Sequence, residues 1–154
     1  MTAVAFPFDP DTSPGFLMAK TVNILKAGLR RAFLVAGHDL TAEQWGVLFV
    51  VFREPGLTQS DLAERTSKDK PTITRILDRL EKKSLLGRRQ NVHDRRSFTI
   101  YPTQEGLTLY PMLEGVVRTY SELVLSGLRQ DEIDTLRDLL SRISSVAVAA
   151  SRPR

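Results

Sequence analysis

Residues 57–106 read LTQSDLAERTSKDKPTITRILDRLEKKSLLGRRQNVHDRRSFTIYPTQEG, and the order of their start and stop signals decides the fold. Thr58, with Asp61 three positions on, starts a short helix through Leu62 and Ala63 to about Arg65. As a capping box it is imperfect, because Asp stands where Glu or Gln is usual. Thr66-Ser67-Lys68 turns the chain, and Asp69 or Lys70 precedes Pro71, a residue at home in a first helical turn. In the next helix Ile73, Ile76, Leu77 and Leu80 recur at the spacing of one buried stripe. Lys70, Thr72, Thr74, Arg75, Asp78 and Arg79 fall off that stripe and are expected to face outward. Leu85-Leu86-Gly87 is expected to end the helix. Arg88–Gln90 and Ser97–Pro102 then read as strands joined by a turn at Asn91-Val92-His93-Asp94. Two short helices separated by three or four residues, followed by a hairpin with a charged tip, predict a winged helix-turn-helix.

The charge lies where such a module needs it. From Lys68 to Arg96 there are ten Lys or Arg against four acids, a net of +6, whereas the 154-residue chain as a whole carries +4. The rest therefore sums to about −2, and the basic character is local. A concentrated cationic face suits a polyanion, because each neutralised phosphate releases condensed counterions.

Outward from this lobe the pattern is helical. Residues 1–15 read as an extended arm, with Ser13 as cap and Pro14 at the first position of the helix after it. Val22, Leu25, Leu29, Phe33 and Leu34 mark one face of a helix from Phe16 to about Ala36. Thr41 with Gln44 forms a capping box before Trp45–Phe52, which is apolar nearly all round and so expected to be buried on most faces. Thr103 caps a long helix that holds Pro111, where a kink is expected. A last helix spans Asp131 to Ala149, and Ser151–Arg154 form a basic tail. The expected fold is mainly α with a small β-hairpin wing. A winged lobe over about 40–103 joins a helical dimerisation layer, about 16–36 and 104–149, in one domain over 16–154.

Composition narrows the function. Cysteine is absent, which removes disulfides, thiolate zinc sites and thiol redox switching. His38 and His93, the two histidines, show no metal-ligand spacing, and no constellation with catalytic spacing is present. The chain reads as a non-enzyme without cofactor or metal. The opening residues lack the pattern of a secretory signal, and no run approaches the ~18 apolar residues of a membrane span, so a cytoplasmic protein without a membrane partner is expected. The rival reading is a winged-helix module for protein contacts, or for non-specific DNA binding without ligand response. The +6 window speaks against protein contacts.

LTQSDLAERT, ITRILDRLEKKSLL, NVHDRRSFTIYPTQEG and LSGLRQDEIDTLRDLLSRI together resemble the MarR family of bacterial and archaeal transcription regulators over roughly residues 16–148. The resemblance implies a homodimer whose outer helices pair across a two-fold axis. It then holds two winged lobes about one turn of double-stranded DNA apart, on a pseudo-palindromic operator. It also implies repression relieved by a small aromatic or anionic effector bound between the dimer helices and the DNA lobe. Lys70, Pro71, Thr72 and Arg75 open the recognition helix, nearest the base edges. Arg75 is the candidate for a bidentate guanine contact, or else for a phosphate. Thr72, Thr74 and Arg79 read either as contacts or as a solvated face, and Arg88 and Arg95 as backbone contacts. The resemblance puts Arg96 in the minor groove with Asp94 bracing it. Phe33, Trp45, Phe49 and Tyr110 are the candidate walls of an effector pocket, against the more ordinary reading of each as core packing.

Overall fold

Caps and stops written into the sequence set the elements. A computed structural model describes residue 9 and residues 12–151, so most of the expected arm over 1–15 and the tail beyond Ser151 lie outside the described residues. The order is α1 (Pro14–Val35), α2 (Ala42–Arg53), β1 (Leu57–Thr58), α3 (Gln59–Arg65), α4 (Lys70–Lys82), β2 (Leu86–Gln90), β3 (Phe98–Pro102), α5 (Gln104–Leu125) and α6 (Gln130–Ala150). The mainly α architecture with a small β wing is as expected from the sequence.

Ser13 occupies the N-cap position of α1 with Pro14 behind it, yet its side chain makes no capping hydrogen bond. The box at α2 is complete: the Gln44 amide N–H donates to Thr41 Oγ1 at 3.2 Å, and Gln44 Oε1 accepts from the Thr41 N–H at 3.1 Å. The box at α3 closes as well, against the expectation for a short acid. Asp61 Oδ2 accepts from both the Thr58 N–H (2.8 Å) and the Thr58 hydroxyl (2.6 Å). Pro111 lies inside α5, which continues past it to Leu125.

The chain divides into two compact units, Met1–Val117 and Arg118–Arg154. In the first, α2, α3 and α4 enclose a core of Val47, Leu48, Val51, Leu62, Ile73, Leu77, Leu80, Leu86 and Ile100, closed by Phe33 of α1 and Leu113 of α5. Each large aliphatic side chain fully withdrawn from water there contributes roughly 1.5–3 kcal/mol. The three-stranded antiparallel sheet has the order β1-β3-β2, with Leu57 opposite Ile100 and Arg88 opposite the same residue on the other side. Strand β1 is absent from the sequence reading: two residues show no alternation.

The expected helix stop at Leu85-Leu86-Gly87 comes too late. Helix α4 ends at Lys82, and Ser84 takes a left-handed conformation at φ 56°. The Leu85 N–H reaches back to Leu80 O at 3.0 Å and the Ser84 N–H to Glu81 O at 2.8 Å, the bonding of a Schellman stop. Leu85 and Leu86 are then free to begin the wing as buried residues. Gly106 has a different duty. A Cβ there would lie 2.2 Å from Leu85 O, so only glycine lets the first turn of α5 close onto the start of the wing. Thr103 finishes the joint: its hydroxyl caps Gly106 N–H at 3.0 Å and itself donates to Ser84 O.

The second unit consists of the end of α5 and helix α6. No residue of α6 is buried.

Candidate nucleic-acid interface

The recognition pair is α3 and α4, joined by a turn with Ser67 at φ 51°. The Lys68 N–H bonds Ala63 O at 2.9 Å and the Ser67 N–H bonds Glu64 O at 3.1 Å, so α3 stops by the same device as α4. Asp69 then caps α4, accepting from the Thr72 N–H at 2.7 Å and the Thr72 hydroxyl at 2.8 Å. Those bonds, the amide foremost, hold the Asp69 carboxyl below the usual carboxylate range. Gln59, at the start of α3, donates its amide to Lys70 O at 3.3 Å and to the Thr74 hydroxyl, which tethers the two helices.

On α4 the buried stripe is Ile73, Ile76, Leu77 and Leu80, as the spacing predicts. Lys70, Pro71, Arg75 and Arg79 are exposed, and Thr72 and Thr74 are half-buried. Both threonine hydroxyl protons are already used, that of Thr72 by Asp69 and that of Thr74 by Lys70 O at 2.9 Å. Either residue can meet a base only as an acceptor or through its methyl group.

The wing tip is a hydrogen-bonded turn. The Asn91 N–H bonds Ser97 O and the Ser97 N–H bonds Asp94 O, both at 3.0 Å. Asp94 accepts the Arg96 backbone N–H at 2.9 Å, so it fixes that residue through the main chain. Arg95, Arg96 and His93 stand exposed around it. Strand alternation separates two neighbouring arginines. The Arg88 guanidinium lies between Asp78 at 2.8 Å and Glu81 at 2.7 Å, both on α4. Arg89 faces the other way, over the Tyr101 ring at 4.5 Å from its centroid. A backbone contact from Arg88, as the sequence suggested, requires it to leave two carboxylates. Arg89 was not singled out in the sequence, although the strand period separates the pair.

Every acid in the basic window is engaged within the fold. Asp69 caps, Asp78 and Glu81 hold Arg88, and Asp94 shapes the tip. No ion pair engages Lys70, Arg75, Arg79, Arg95 or Arg96 among the described residues. The positive face is left uncompensated.

The effector-pocket candidates meet in one aromatic cluster. Trp45 lies 6.1 Å from Phe33, 6.1 Å from Phe49 and 5.4 Å from Tyr110, ring centre to ring centre. Phe52, missed in the sequence, stacks on Tyr110 at 4.1 Å. Phe33 has no accessible surface, whereas Phe49 keeps 36 % of its own, so the first packs beneath the cluster and the second reaches its rim. Burial pushes the Tyr110 hydroxyl pKa up.

Residues 40–98 match the model of the MarR family. Over 105 residues the chain is 30% identical to the uncharacterized HTH-type transcriptional regulator YybA of Bacillus subtilis, covering 68% of this chain and 70% of that protein. The chain belongs to the MarR family. Among solved structures, the PcaV transcriptional regulator from Streptomyces coelicolor, in complex with its natural ligand, is 28% identical with a TM-score of 0.80, over 96% of this chain and 99% of that one. Wild-type MarR from E. coli, in its apo form, is 26% identical with a TM-score of 0.70, over 85% of this chain and 96% of that one. The protein is thus a transcriptional regulator with a MarR-type winged helix. Among the described residues, no helix is long and apolar enough to cross a membrane.

Proposed function

We propose that this regulator is a homodimeric repressor that grips a pseudo-palindromic duplex with two winged lobes and lets go when a small aromatic or anionic ligand binds. The observation that carries the DNA reading is the uncompensated face of α4 and the wing: Lys70, Arg75, Arg79, Arg95 and Arg96 lie open while each neighbouring acid is engaged within the fold. Arg75 reads a base edge from the first turns of α4, and Arg96 enters the minor groove beside it. Lys70 and Arg79 take phosphates on either side, and Arg95 a phosphate beside the wing. Pro71 shapes the approach, and Thr72 and Thr74 give only methyl or acceptor contacts.

Dimerisation is supported by α6, whose Leu136, Leu139, Leu140 and Ile143 are each at least 40 % exposed. A second copy is the commonest cover for such a stripe in a soluble protein. The aromatic cluster around Trp45 supports the effector, as does the ligand held by PcaV. That ligand acts here only through unequal affinity for lobe spacings that fit and misfit the duplex.

The test is selection of duplexes from a random pool, followed by binding titrations. A selected site with two inverted halves about 10 bp apart is expected. Arg96→Ala lowers affinity for it by more than about tenfold, the cost of one lost charged contact of roughly 1.4 kcal/mol, with sedimentation still showing a dimer. Unchanged affinity removes the wing assignment, and recovery of no preferred duplex removes the proposed function.

A further inference from the structure

The surroundings of Arg88 point to a role other than DNA contact. Its two terminal nitrogens are divided between two carboxylates one helical turn apart on α4, Nη2 with Asp78 Oδ1 at 2.8 Å and Nη1 with Glu81 Oε2 at 2.7 Å. The Arg88 side chain is only 26 % exposed and Glu81 only 28 %, so that pair is partly withdrawn from solvent screening, while Asp78 is 49 % exposed. Arg88 is held in place at its other end by register: it sits opposite Ile100, which is buried in the lobe core. A planar guanidinium fixes direction as well as distance, which an ammonium does not.

The positions of the partners matter as much as the bonds. Asp78 and Glu81 belong to the helix that carries Arg75 and Arg79, and Arg88 belongs to the hairpin that carries Arg95 and Arg96. The base of the wing is already joined to the exit of α4 through Thr103 and Leu85. Pairing of β1 with β3 and the burial of Leu86 and Ile100 hold the same base; the Arg88 fork ties the wing directly to α4, three residues beyond Leu85 toward the tip. Two acids on the DNA-facing helix are an electrostatic cost in a phosphate-binding surface, and this arrangement gives them a reason to be there.

We propose that Arg88 is a positioning residue. It locks the wing to the recognition helix at one angle, so that base contacts from α4 and the minor-groove contact from the wing are made in the same register on a duplex. The inference rests on the proposed DNA-binding function and adds a role within it: Arg88 contributes selectivity without touching a phosphate.

The decisive comparison removes the acids. Asp78→Asn combined with Glu81→Gln keeps shape and raises the positive charge of the surface. If charge alone governs, this variant binds every duplex more tightly. If Arg88 positions the wing, affinity for the duplex selected from a random pool falls about tenfold, or roughly 1.4 kcal/mol, while affinity for a scrambled duplex of equal length holds or rises. Arg88→Ala gives the same loss of preference, with the slope of log affinity against log salt on the scrambled duplex unchanged. Arg89→Ala serves as the matched control, since it removes one charge from the same strand and leaves the fork intact. Far-ultraviolet circular dichroism and thermal unfolding establish that each variant is folded, and Asp78→Asn alone replaces the double variant if that one is not. A slope reduced by about 0.9 in Arg88→Ala marks a direct phosphate contact and overturns the inference. So does tighter binding of the selected duplex by the acid-free variant. Wild-type protein that prefers no duplex overturns the proposed function instead, and the inference with it.

Discussion

Helices α4 and α6 are both amphipathic, and they leave opposite halves of themselves unsatisfied. In α4 the apolar stripe is complete: Ile73 and Leu80 are fully buried, and Leu77 is 1 % exposed. Its outward cations Lys70, Arg75 and Arg79 make no ion pair among the described residues, and the nearby Asp69 carboxylate is engaged in capping the helix. In α6 the charges are paired along the helix, Arg137 with Asp134 at 3.0 Å and Arg142 with Asp138 at 3.4 Å. Its apolar stripe is open, with Leu136, Leu139, Leu140 and Ile143 between 40 % and 46 % exposed. What a helix fails to satisfy within its own chain indicates what it is expected to meet outside. An uncompensated cationic face fits a polyanion, and an uncovered leucine stripe fits another apolar face. Exposed ion pairs along α6 add only about 0.3–0.5 kcal/mol each, so they hold the helix but do not replace a cover for the stripe.

The strongest way to break this contrast is to make α6 polar where it is bare. Leu140→Glu with Ile143→Glu is expected to yield a folded single subunit by sedimentation. Affinity for a two-half-site duplex falls roughly 100- to 10,000-fold, because the second lobe is no longer tethered to the first. A variant that stays dimeric, or a monomer that binds as tightly as wild type, ends the proposed role of α6.

Truncating one leucine on each helix sharpens the same point. Leu77→Ala leaves a cavity in a closed core and should lower unfolding free energy by about 2–5 kcal/mol, independently of protein concentration. Leu140→Ala removes surface that a lone subunit leaves wet, so its effect on thermal unfolding appears only where subunits pair and therefore grows with protein concentration. Equal, concentration-independent losses from both would mean that the α6 stripe is covered within its own chain.

The contrast was half legible in the sequence. Periodicity gives the α4 stripe directly, because Ile73, Ile76, Leu77 and Leu80 have no other helical face to share. The same periodicity marks α6 as amphipathic but does not say whether its stripe is covered, since burial depends on what lies opposite. The stops were harder to read, for a local reason. Ser67 and Ser84 occupy left-handed positions where glycine is the usual signal, so Gly87 drew the end of α4 too far along the chain. The partition of Arg88 and Arg89 depends on strand register and on two acids from another element, which a charge count adds to the same total either way. Asp61 closes its box because a short acid reaches both the amide and the hydroxyl of Thr58, and a motif written around Glu does not anticipate that. Of the site residues placed by the helix period, Lys70, Arg75 and Arg79 stand exposed as read, whereas Thr72 and Thr74 are half-buried. The Thr72 and Thr74 hydroxyls are used within α4 and its own cap, which a helical wheel does not display, and the engagement of Arg88 became apparent only with α4 beside the wing.

The smallest expected effect separates the two functions of Asp69, the one acid at the head of α4. Its carboxyl pKa lies below the ordinary 3.8, chiefly because the Thr72 amide and then the Thr72 hydroxyl bond the charged form. A group with a depressed folded pKa stabilises the native state fully above its unfolded value and loses that contribution as pH falls through the folded one. Asn is also a good N-cap but carries no charge. In thermal unfolding without DNA, wild type should therefore exceed Asp69→Asn above about pH 4, with the gap closing below it as Asp69 is protonated. A gap that persists unchanged into stronger acid would mean that shape rather than charge distinguishes the two caps. The aspartate would then be in place for reasons other than stabilising α4, although it sets a negative charge among the cations proposed to meet DNA.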